Sequence, residues 1–92
     1  MAINTERREV GVRDADGREH VLPGQEIRIW THRWIESRGY KGANRIEFET
    51  KRLDHPVVTA AFCRHRDTIW GAPKNAREAE EWHARLSAFL IQ

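Results

Sequence analysis

Residues 26–36 constrain the fold most, because side-chain type alternates along them with a period of two. Ile27, Ile29, Thr31 and Ile35 fall on one side, and Arg28, Trp30, His32 and Trp34 on the other. The first set is expected to face a core and the second to face a partner. A helix is the competing arrangement, since Ile27, Trp30, Thr31, Trp34 and Ile35 also sit at i, i+3, i+4, i+7 and i+8, with Gly39 placed as a C-cap. The concentration of isoleucine, threonine and tryptophan favours the strand, because these side chains lose freedom in helices and suit a pleated surface.

The flanking segments extend the β pattern. Val10 and Val12 precede Asp14-Ala15-Asp16-Gly17, and residues 20–22 follow it. Asp-Gly between two short β-prone runs signals a hairpin, because glycine tolerates the positive φ that such turns need. Pro23-Gly24 then punctuates the chain. Residues 37–44, with Gly39 and Gly42, are expected to be a loop. In residues 45–51, Ile46, Phe48 and Thr50 alternate with Arg45, Glu47, Glu49 and Lys51, the mark of a half-buried antiparallel strand. Residues 57–63 are apolar at nearly every position and are expected to form a strand covered on both faces near the sheet centre. Ile69 and Trp70 extend it or begin a further short strand, before Gly71-Ala72-Pro73 ends the β region.

A helix over residues 75–91 closes the chain, with Asn75 as N-cap and Glu78 as its capping-box partner. Ala76, Ala79, Trp82, His83, Leu86, Phe89 and Leu90 form its apolar stripe, while Arg77, Glu81 and Arg85 form i, i+4 pairs on the solvent side. The fold class is therefore α+β: an antiparallel β-meander of four or five strands with one C-terminal α-helix packed on a face of the sheet. Residues 1–92 are expected to be one domain, since a chain of this length cannot divide its core.

Composition excludes several classes. With 33% charged and 39% hydrophobic residues, the chain is too apolar for disorder and too polar for a membrane protein. No stretch approaches the ~18 apolar residues of a spanning helix, and the charged residues 1–10 lack the apolar run of a signal peptide. The cytoplasm is the expected location. One cysteine, Cys63, cannot form an internal disulfide. Charge is uneven: residues 27–75 carry ten Lys and Arg against five acids, together with His32, His55 and His65. A basic middle could steer an acidic partner, although an ordinary solvated surface has the same charge.

The face Arg28, Trp30, His32 and Trp34 is the sharpest candidate site, because rings flanked by cations suit a protein hot spot or the stacking of bases. Core or dimer packing would use the same residues, and Glu47 and Glu49 on the next strand would repel phosphate. The segment Arg38-Gly39-Tyr40-Lys41-Gly42 combines two cations, a tyrosine and two glycines, and with Arg45 it joins the candidate surface. It lacks the spacing of a nucleotide-binding loop.

Cys63-Arg64-His65 offers two ligands, with His32, His55 and His83 elsewhere, but no convergent set of three or four, so no metal or other cofactor is expected and Cys63 is expected to be a buried thiol. Asp14-Ala15-Asp16-Gly17 lacks the further acids of a calcium loop. His32, His65, Tyr40, Arg64 and Arg66 supply the residue types of a small basic ribonuclease without a recognisable spacing, and no catalytic residue is assigned.

The function expected from these features is that of a non-enzymatic binding module. It would be an inhibitor or adaptor of the kind phages and mobile elements encode, docking a basic, tryptophan-bearing surface on a larger protein or protein–nucleic acid complex. Single-stranded nucleic-acid binding by the same face is the alternative, and a homodimer would also suit a continuous apolar strand.

Overall fold

The structure, a computed structural model, describes residues 1–14, 16–54 and 56–91. Ala15 and His55 of the motifs above lie outside the described residues. Among the described residues, six strands and one α-helix follow in the order β1 (Ala2–Asn4), β2 (Glu9–Arg13), β3 (Glu19–Pro23), β4 (Ile27–Ser37), β5 (Tyr40–Thr50), β6 (Val57–Ala61) and α1 (Ala72–Leu90). The α+β class holds, but the single meander does not: the strands form two antiparallel three-stranded sheets, β1-β2-β3 and β4-β5-β6. The division falls at Pro23, where a 3₁₀ turn, Gly24–Glu26, redirects the chain and ends the ladder. Arg52 ties this junction together, its Nε donating to Glu26 at 2.8 Å and its guanidinium to the Val21 carbonyl at 3.3 Å.

The β2–β3 hairpin forms where Asp-Gly predicts it, with Gly17 at φ 82°. Asp14 organises the turn: its Oδ1 accepts from the backbone N–H groups of Asp16 and Arg18, and its Oδ2 lies 2.7 Å from His20 Nε2. The His20 hydrogen bond, aided by the two backbone donors, holds the Asp14 carboxyl below the usual carboxylate range. A depressed folded-state value contributes stability that is present above the unfolded-state pKa of about 3.9 and is lost as pH falls through the folded one. Thermal unfolding between mildly acidic and neutral pH should therefore show Asp14→Asn less stable than wild type, with the gap closing as the pH drops below about 4. A gap constant with pH would show that the charge contributes nothing.

The β4–β5 pairing is long and contains two irregularities. Ile27 faces Thr50 and Ile29 faces Glu49, so Arg28 is an extra residue, a bulge that resets the alternation. Beyond it Trp30 faces Phe48 and His32 faces Ile46, both fully buried partners. Ile27 is buried in the core as expected, but beyond the bulge the two sides of β4 are the reverse of the sequence expectation: Trp30 and His32 lie on the core side, and Ile29 and Ile35 are 49% and 59% exposed on the other. The expected loop at 37–44 is mostly strand, because Arg38 and Gly39, at φ 53° and 82°, make a two-residue turn and β5 resumes at Tyr40.

Strand β6 is an edge rather than a centre, and only one face is covered: Val58 and Ala60 are buried, Val57 and Ala61 exposed. Its apolar outer face is built from small or β-branched residues that tolerate water singly. Cys63, just past it, is exposed rather than a buried thiol. Ile69 and Trp70 do not form a strand but lie in the turn before α1.

One core joins all layers: Val10, Val12 and Leu22 from the first sheet, Ile46, Phe48 and Val58 from the second, and Ala79, Leu86 and Phe89 from α1. The helical stripe is as expected, with Trp82 and Leu90 half-buried at its margins. The N-cap is not: the helix begins one turn earlier, after Gly71 and with Pro73 in its first turn, and Asn75 is a fully buried interior residue. Glu78 does not close a capping box and lies 3.6 Å from Arg64 instead. No helix among the described residues is long and apolar enough to cross a membrane.

Candidate binding surface

Asn75 is buried because it fastens the segment between β6 and α1. Its Oδ1 accepts from the His65 N–H at 3.0 Å and its Nδ2 donates to the His65 carbonyl at 2.8 Å. Further along, Thr68 Oγ1 accepts from the N–H groups of Trp70 and Gly71, and the Thr68 carbonyl accepts from Ala72 N–H at 2.9 Å. Gly71 is required by close approach, since a Cβ there would overlap the Arg66 carbonyl.

A third anchor reaches across to β5. Ala43 has φ 49° and forms the second irregularity of the sheet, where its N–H donates to Asp67 Oδ2 at 2.8 Å. Tyr40 donates its hydroxyl to the Asp67 carbonyl at 3.3 Å. Asn44 beside the bulge is buried, donates to the Lys41 carbonyl at 2.7 Å and accepts from His32 Nε2 at 2.9 Å. The segment 62–71 is therefore pinned from the helix, from β5 and from within.

Among its exposed residues are two large apolar side chains. Trp70 is 82% exposed and Ile69 64%. Cations flank them in sequence, Arg64, Arg66 and Lys74 all exposed. Arg77 lines one shallow depression with Tyr40, Lys41 and Glu80 and another with Arg64, His65 and Lys74, where Glu78 and Glu81 offset part of the positive charge. The hairpin turn adds Arg38. This end of the molecule combines an exposed indole with several cations on a rigid frame.

The sequence-derived candidates divide between this end and elsewhere. Arg38, Tyr40 and Lys41 belong to it. Trp30 is half-buried against α1, its Nε1 donating to Ser87 Oγ at 2.9 Å, and His32 is half-buried with Asn44. Trp34 lies at the rim of the same side, its ring 4.9 Å from that of His32 and 4.2 Å from Lys41 Nζ. Arg28 is exposed at the bulge. Arg45 lies on the opposite face of the sheet, where Glu47 pairs with Arg33 at 2.6 Å and approaches Arg45 at 3.7 Å. The basic aromatic platform expected on β4 is therefore not one surface, because the helix covers its first half.

Sequence reasoning assigned Trp70 to a strand and so missed the most exposed tryptophan. The available signal was the run Gly71-Ala72-Pro73 immediately after it, which places residue 70 at a chain reversal where side chains project. Among the described residues, which exclude His55, no group of three potential metal ligands is assembled. The His32 ring is engaged by Asn44, whereas Asn75 holds only the backbone of His65.

No family model, curated protein or solved structure matches this chain.

Proposed function

We propose that the protein is a non-enzymatic binding module that docks its Trp70-bearing, basic end on an acidic surface of a larger protein or protein–nucleic acid complex, as an inhibitor or adaptor. The observation that carries this reading is an 82% exposed tryptophan on a segment pinned by Asn75, Thr68 and Asp67. A segment whose backbone is already pinned by hydrogen bonds loses little backbone entropy on docking, and tryptophan and arginine dominate the energetics of interfaces. Lys41, Arg64, Arg66, Lys74 and Arg77 would steer an acidic partner. The same combination of indole and cations supports single-stranded nucleic-acid binding as the second reading.

Salt and one substitution separate the two. Trp70→Ala should leave unfolding stability within about 0.5 kcal/mol of wild type, because the ring is already in water. Tryptophan fluorescence titrated with mixed-sequence single-stranded DNA should show no saturable response at low or moderate salt. Strong quenching that weakens steeply with salt and disappears in Trp70→Ala would replace protein docking by nucleic-acid binding.

A further inference from the structure

Strand β4 is an edge of its sheet. The two-residue turn makes Ser37 and Tyr40 a hydrogen-bonded pair, so alternate residues back along β4 point their amides and carbonyls at β5. His32, Trp34 and Glu36 then point theirs away from the sheet. Trp30 shares that parity, and its carbonyl indeed accepts from His83 Nε2 at 3.2 Å instead of from β5. With the outward backbone groups of His32, Trp34 and Glu36 and the exposed Ile29 and Ile35, this edge is a template for another strand.

We infer that a second copy of this chain pairs antiparallel with β4 about a two-fold axis at His32, joining the two β4-β5-β6 sheets into one of six strands. The β4 sequence is self-complementary in this register. Arg28 meets Glu36 of the second copy, Ile29 meets Ile35, and Trp30 meets Trp34, each pair occurring twice. The isoleucine pairs lie on the outer face and the tryptophan pairs on the helix side.

The neighbouring registers that keep outward groups opposite outward groups are worse. Centring the axis on Arg33 sets two arginines face to face, and centring it on Thr31 sets Glu26 opposite Glu36 and Ile29 opposite Arg33. The axis at His32 is perpendicular to the sheet, so both helices lie on the same side and Trp34 of each copy lands beside Trp30 and His83 of the other. Trp34, 38% exposed, thereby gains cover. Trp70 takes no part, although Lys41 lies against Trp34, so the pairing goes beyond the docking function and does not depend on it.

Sedimentation equilibrium from low micromolar to near-millimolar protein tests the inference, with circular dichroism confirming that each variant is folded. Wild type should show a monomer–dimer equilibrium. Glu36→Arg and Arg28→Glu, both at exposed positions, should each raise the dimer dissociation constant about tenfold by placing like charges opposite each other twice, and combining them should restore it. A monomer at all concentrations overturns the inference. So does a dimer that Glu36→Arg leaves unchanged, or one that the combined variant does not restore, since either would use another surface.

Discussion

Replacing Asn75 with alanine is expected to cost about 2–4 kcal/mol, because the His65 N–H and carbonyl it serves would both lose their partners in a part-buried setting. An N-cap asparagine in a helix start would cost only about 1 kcal/mol. Denaturant unfolding separates the two roles, and the expected loss is a large share of the roughly 5–14 kcal/mol available to a chain of this size. Asn75→Ala should also loosen the segment that carries Trp70, seen as a change in the iodide quenching of its emission. A loss near 1 kcal/mol with unchanged quenching would mean that the segment holds itself without Asn75.

Phe48→Ala should have the largest effect of any single truncation, a loss of about 3–5 kcal/mol. Phe48 is fully buried on β5, the central strand of its sheet, and belongs to the cluster in which both sheets and α1 meet. Its removal opens a cavity that neighbours drawn from three layers cannot all move to fill. Phe48→Leu keeps most of the volume and should lose no more than about 1.5 kcal/mol, which preserves the comparison if the alanine variant does not fold. Val57→Ala, on the exposed face of the adjacent strand, should lose well under 1 kcal/mol. Equal losses at Phe48 and Val57, measured by urea unfolding, would show that the core is not centred where β5 meets the helix.

The contrast between these two residues bears on what local pattern can reveal. Ile46, Phe48 and Thr50 were legible as buried because an alternating strand next to charged residues has only one apolar side to offer. The α1 stripe was legible for the same reason at a helical period, and the β2–β3 turn because Asp14 and Gly17 act on their own backbone. Residues 26–36 had two plausible sides, and the choice lay with the bulge at Arg28 and with the register against Phe48 and Ile46. Ile29 and Ile35 were consequently left in water, although Ile27 before the bulge is buried, while Trp30 and His32 took the core side, where Ser87, His83 and Asn44 satisfy their polar groups.

Asn75 shows the same division for a single side chain. An asparagine three residues before a glutamate satisfies the local rule for a cap, and nothing nearby in sequence reveals that His65 needs its amide more. By itself the sequence determined the α+β class, the strand and helix periods, the first hairpin and the basic middle of the chain, because each depends on residues a few positions apart. Only the tertiary structure decided the split into two sheets, the buried side of β4, the edge position of β6 and the outward projection of Trp70. Those features depend on pairings between residues distant in the chain, where register and burial are settled by which partner each strand finds.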